Sequence, residues 1–205
     1  MTDGTPARRS WPARLRVGAV FVLVGVLVVL SRPSPGSVSA GFAVAAVGEA
    51  LRVWAAGHLR KTVRLVTSGP YRYSRNPLYL GRLLIFTGIA IMAWMPGGVT
   101  LGVLAAGWVV FFVYYLPRKE RVEPARLRAV HGEAYDRYRA AVGKLFPRWP
   151  PYPGGADAGW SSERLLRNRE HWMIVAVVLI TLVLLARAYH LETGAVLQFL
   201  GDPPP

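Results

Sequence analysis

The sequence predicts an all-α, polytopic integral membrane protein with about five transmembrane helices and a cytoplasmic helical segment between the fourth and the fifth. Three observations predict it. Apolar residues, 53% of the 205, are bunched into membrane-length runs instead of recurring at the period of a soluble amphipathic helix. Lysines and arginines cluster beside those runs and give a formal net charge of +14. A stretch of 34 consecutive uncharged residues, from Leu83 to Leu116, is interrupted by Pro96-Gly97-Gly98. As one straight helix it would measure about 50 Å, far beyond a ~30 Å hydrocarbon core, so it reads as a hairpin of two spans.

A charge of this size often marks a nucleic-acid binder. Here the basic residues flank apolar runs, which fits orientation in an anionic bilayer, and no nucleic-acid partner is expected. The absence of cysteine excludes disulfides, thiolate metal sites and cysteine nucleophiles.

The elements follow in chain order. Residues 1–16 are polar and carry Arg8, Arg9, Arg14 and Arg16, and Val17 to Leu30 is the first apolar span. A secretory signal with a loose cleavage site at Ser37–Ala40 is the rival, but Arg32 and two prolines intervene and further spans follow. The second span, Gly36 to Gly57, holds Glu49 and Arg52 three apart on one helical face. There they can pair with each other instead of meeting lipid, or Arg52 can snorkel to the headgroups. A basic loop leads to the hinge Gly69-Pro-Tyr-Arg-Tyr-Ser-Arg-Asn-Pro-Leu-Tyr-Leu-Gly81. Pro77 suits the first helical position and Asn76 the N-cap. Free N–H groups, the helix dipole, Arg72 and Arg75 together attract a carboxylate or phosphate; the plainer alternative is a capped membrane helix with arginines at the lipid surface.

After the hairpin, Pro117 and Arg118 end the fourth span, and Arg118 to Glu170 is polar. Within it Leu127, Val130, Ala134, Tyr138 and Ala141 recur at helical spacing, predicting an interfacial helix from Ala125 to Val142. Pro147 to Gly155 is a linker, and Trp172 to Ala186 is the fifth span if Arg187 snorkels. With the N-terminus inside, 21 of the 25 lysines and arginines are cytoplasmic. The positive-inside rule therefore gives N-terminus in, C-terminus out, and a location in the cell inner or plasma membrane. Three segments result: 1–57 with two spans, 58–150 with hinge, hairpin and cytoplasmic helix, and 151–205 with linker and last span.

This topology lets the hinge meet Glu120, Glu123, Glu133 and Asp136, and a site with both signs suits a zwitterion. A solvated charged face would show the same composition.

The pattern Gly-Pro-Tyr-x-Tyr-x-Arg-Asn-Pro-x-Tyr-x-Gly resembles the signature of the isoprenylcysteine carboxyl methyltransferase and phospholipid methyltransferase superfamily. Glu123, Leu127, Gly132, Tyr135, Tyr138 and Phe146-Pro147 resemble its second motif. Two departures stand out: Asn76 occupies a position where many members have His, and Val122 replaces the first of two paired glutamates, with Glu120 one turn away as a substitute. The resemblance implies a membrane methyltransferase that takes S-adenosylmethionine without a Rossmann domain. It places the cofactor against Tyr71, Tyr73, Arg75, Asn76, Pro77, Tyr79 and Gly81, with Glu120 and Glu123 opposite and His58 nearby. Arg75 and Glu123 are the expected catalytic pair. The acceptor is lipid-like or a small hydrophobic molecule reacting through a carboxylate, amine or thiol, and no metal is required. His131, His171 and His190 read as ordinary surface or interface residues. A nicotinamide-dependent membrane reductase and a basic, non-catalytic scaffold are the rival readings; oligomeric state is not legible.

Overall fold

The protein is described by a computed structural model at residues 25–59, 65–153 and 159–201, and the regular elements of these segments are helices joined by turns and loops. At 122–126 and 195–201 only the backbone is described. Most of the first predicted span and the whole basic stretch before it lie outside the described residues. Residues 25–30 are helical.

Helix α1 (Pro35–His58) starts at a capping box in which Ser34 and Ser37 satisfy each other's backbone N–H groups. It packs antiparallel against α2 (Pro77–Met92). Two glycine couples set their separation: a Cβ at Gly81 would lie 2.6 Å from the Gly48 carbonyl oxygen, and one at Gly88 would lie 2.5 Å from that of Gly41. Small residues allow such close backbone approach between helices, which side-chain packing and weak polar contacts then stabilise. The Pro96-Gly97-Gly98 turn forms as expected, both glycines taking positive φ (67° and 77°), and leads into α3 (Val99–Val109).

At Pro117 the outcome differs from expectation. The helix does not stop; it widens into a π stretch (Val110–Tyr115), in which Leu116 N–H donates to the Phe111 carbonyl, and continues as α4 (Leu116–Ala141). Proline removes a backbone donor, and a local π turn is a way to pass it without breaking the rod. The periodic face within α4 also shifts. Gly132, at φ 50° and ψ −127°, kinks the helix. The buried set beyond it is Tyr135, Tyr138 and Val142, with Leu127 packed against them, while Val130 is 53% exposed.

A short α5 (Ser162–Arg167) precedes the last helix α6 (His171–Gly201), longer than the apolar run alone suggested. Its Val177, Leu184 and Ala188 join Val38, Ala45, Ile85, Met92 and Ala93 in the main core. Arg187 donates to the carbonyls of Ser31 (3.0 Å) and Val29 (2.6 Å), carbonyls that the end of the 25–30 helix leaves free. Among the described residues three segments are long and apolar enough to cross a membrane: Pro35–His58, Val99–Arg121 and His171–Gly194; α2 is apolar but shorter.

Glu49 and Arg52 do not form the pair their spacing suggested. Arg52 Nη2 meets Glu170 Oε2 at 2.5 Å, both side chains being buried, and Arg52 Nη1 donates to the Leu78 carbonyl at 3.1 Å. Glu49 is buried beside them, and neither of its carboxyl oxygens has a hydrogen-bond partner among the described residues.

Candidate functional site

The hinge begins with Gly69 at φ 58° and a 3-10 turn (Gly69–Arg72). His58, at the end of α1, packs its ring against Gly69 and holds the Ser68 hydroxyl at 3.1 Å through Nδ1. It braces the hinge.

From Tyr71 onward the hinge is laced to the loop that follows α4. Tyr138 Oη donates to the Tyr71 carbonyl (2.8 Å) and Tyr152 N–H to that of Arg72 (2.9 Å). Arg148 N–H donates to the Tyr73 carbonyl (2.9 Å), Ser74 Oγ to that of Leu145 (2.7 Å) and Arg75 N–H to that of Gly143 (2.8 Å). With the backbone groups so engaged, residues 75 and 76 are held rigidly and their side chains are available for other partners.

Those partners lie on α4. Arg75 Nη2 is 3.2 Å from Glu120 Oε2, and Asn76 Nδ2 donates to Glu120 Oε1 and to the Lys144 carbonyl, each at 2.8 Å. Asn76 does occupy the N-cap position, but its side chain makes no cap hydrogen bond. The nearby carboxylate and carbonyl take its amide instead, since a charge-assisted bond outweighs a neutral one. The guanidinium is only partly spent. Arg75 Nε and Nη1 are buried without a hydrogen-bond partner among the described residues, and its side chain is 12% exposed. Tyr135 and Tyr138 close the site from behind. Burial pushes both phenols above their ordinary range, against the opposing pull of Arg75.

The other sequence candidates divide. Tyr71 is buried and Tyr73 stacks on Trp149 at 5.6 Å between centroids. Pro77 is fully buried at the first helical position. Tyr79 packs edge-to-face on Tyr115 at 5.3 Å. Gly81 faces Arg52 and Gly48, which makes it a packing residue of the α1–α2 contact. The side chain of Glu123 lies outside the described residues, and Glu120, one turn earlier, is the carboxylate the structure joins to Arg75 and Asn76. Sequence reasoning missed Tyr135 as a neighbour of Arg75, although it belongs to the second motif. It also missed Glu170, whose partner is 118 residues away.

The chain is 32% identical over 153 residues, 71% of its length and 67% of the relative's, to the cobalt-zinc-cadmium resistance protein CzcN of Cupriavidus metallidurans. No solved structure matches. The family model for phospholipid methyltransferases matches residues 14–119, a range that takes in α1, the hinge, the α2–α3 hairpin and the helix up to the residue before Glu120. A hinge whose arginine meets a carboxylate, set between apolar helices and matched by this model, places the chain in the phospholipid methyltransferase family, within the superfamily shared with isoprenylcysteine carboxyl methyltransferases.

Proposed function

We propose that the protein is an S-adenosylmethionine-dependent methyltransferase of the cytoplasmic membrane face, with the cofactor's amino-acid end held at Arg75, Asn76 and Glu120. The observation that carries this reading is the buried guanidinium of Arg75, with Nε and Nη1 unpartnered and a carboxylate on Nη2. Such a pair offers donors to a carboxylate and an acceptor to an ammonium, the two ends of a zwitterion.

S-adenosylmethionine supplies an activated methyl group for in-line displacement, so the chain's own share is positioning, exclusion of water and electrostatic matching. Arg75 fixes an anionic group through its fork. Glu120 holds Arg75 and Asn76 in place and balances the charge. Tyr135 and Tyr138, kept neutral by burial, exclude water without adding charge. Tyr73 and Tyr79 offer rings for the adenine or the sulfonium, and Glu123, three residues after Glu120 in the sequence, is the further carboxylate of this reading. Five spans with the N-terminus inside would bring the basic segments and the site to the cytoplasmic side. The acceptor is lipid-like, reacting through a carboxylate, amine or thiol. The relative's description concerns metal resistance; among the described residues no group of three or more His, Asp or Glu could hold a metal ion, and no metal enters this reading.

Calorimetric titration of S-adenosylmethionine and its demethylated product into the detergent-purified protein tests it. Arg75→Lys keeps the charge but loses the fork and should weaken binding about tenfold, the loss of one charge-assisted hydrogen bond. Glu120→Gln and Glu123→Gln should also weaken it. A folded wild type that ignores S-adenosylmethionine and binds a nicotinamide nucleotide would point to the reductase. Binding of anionic lipid alone, released by salt, would point to the scaffold.

A further inference from the structure

We infer that the loop 143–153, which covers the Arg75–Glu120 site, is a membrane-contacting surface whose partner is the headgroup layer of the bilayer the spans cross. The loop is rigid. Its backbone is hydrogen-bonded to the hinge at Gly143, Leu145, Arg148 and Tyr152, and to the Asn76 side chain at Lys144. Leu145 turns inward and is 3% exposed, while Phe146 and Trp149 turn outward at 63% and 78%, with Lys144 and Arg148 exposed beside them. Large rings turned outward from a backbone that is bonded to the hinge on either side of them mark an interaction surface.

The partner follows from what the two rings touch. Phe146 stacks on Phe112 (24°, centroids 6.5 Å apart) in the π stretch, whose neighbours Val109, Val110 and Val113 are 58–71% exposed on an apolar helix. Trp149 stacks on Tyr73, which lies 6.4 Å from Trp54, an outward residue of the last turns of α1. The loop is therefore continuous with the outer surfaces of two different spans. Tryptophan beside exposed lysine and arginine is the composition of the membrane–water boundary, rings at headgroup level and cations toward lipid phosphates. A second copy of the chain or a soluble protein would not need continuity with both spans. The site beneath the loop then lies at headgroup depth.

The absence of cysteine makes the test direct. Nitroxide labels are placed one at a time through Phe146→Cys and Trp149→Cys, with Val113→Cys as the lipid reference and Arg137→Cys as the water reference. The full chain is reconstituted in phosphatidylcholine–phosphatidylglycerol nanodiscs. The expected result is that labels at 146 and 149 favour oxygen over a water-soluble nickel complex, as at 113 and unlike at 137. Accessibility equal to that of 137 overturns the inference. So does shielding from both reagents with dipolar coupling between labels, which would make the loop an interface between copies. Should the cysteine variants fail to fold, brominated-lipid quenching decides: wild-type fluorescence must lose more than that of Trp149→Phe, and equal losses overturn the inference. None of these readouts depends on methyl transfer.

Discussion

Replacing Glu170 by Gln should cost less than the burial of its salt bridge implies, and the discount should vanish when Glu49 is also replaced. Arg52 and Glu170 meet at 2.5 Å with side chains 4% and 10% exposed. Removing one partner of such a pair ordinarily costs about 3–5 kcal/mol, because the other charge is left buried and unpaired. Here a second carboxylate is at hand. Glu49 sits one turn before Arg52, in the field of both Arg52 and Glu170, and its oxygens are unpartnered. When Glu170 is neutralised, Arg52 can turn to Glu49, and the loss should shrink to about 1–2 kcal/mol. Glu49→Gln alone should change stability by less than about 1 kcal/mol, since no existing hydrogen bond is removed. The double variant should bear the full ~3–5 kcal/mol, a departure from additivity of about 1–3 kcal/mol. Reversible unfolding in mixed micelles, followed by tryptophan fluorescence, gives all three values. Additive losses, or a Glu49→Gln cost as large as that of Glu170→Gln, would refute the reasoning.

Three further outcomes follow from the geometry. Tyr135 and Tyr138 hold their protons more tightly folded than unfolded, so their contribution is intact below the unfolded phenol value of about 10 and is lost as pH rises past it; Tyr135→Phe with Tyr138→Phe should flatten alkaline unfolding above that pH. Gly88→Ala would push a Cβ onto the Gly41 carbonyl and the Ala45 backbone, and a loss of roughly 1–3 kcal/mol is expected in the same unfolding assay. Arg52→Leu should destabilise the protein by about 3–5 kcal/mol, because the buried Glu170 then loses the cation it pairs with; an unchanged stability in the same assay would refute this.

What the sequence made legible was chiefly local. Asn-Pro at 76–77 and Pro-Gly-Gly at 96–98 act through their own backbones, and the helix start and hairpin turn occur where those residues require. Features set by distant partners were not readable. The Asn76 side chain leaves the cap because Glu120 lies 44 residues further on, and Arg52 chooses Glu170 over a neighbour three residues away. Pro117 reads as a stop only if a helix can do nothing but break at proline; six residues of π geometry accommodate it. In the interfacial helix, Leu127 and Tyr138 of the expected face do pack inward, whereas Val130 is exposed and, past the positive-φ kink at Gly132, Tyr135 and Val142 are buried in place of Ala134 and Ala141. In the candidate site, Arg75 and Asn76 are expected to face Glu123 with Glu120 as a substitute, and the carboxylate they contact is Glu120, a meeting that follows once both motifs lie on one side of the membrane. The supporting loop could not be foreseen, since a stretch rich in proline reads as a linker until its backbone bonds are seen.

The two glycine couples make α1 and α2 a gauge with fixed graduations. Gly41 and Gly48 are seven residues apart, as are Gly81 and Gly88, so each couple returns to the interface after about two turns. One residue inserted between Gly41 and Gly48 would rotate all that follows by about 100° and swing Arg52 away from the Leu78 carbonyl and Glu170. Seven inserted residues would nearly restore the angle while displacing the second glycine along the axis. Length changes should therefore be tolerated in the loops at either end of α1 and excluded between its glycines.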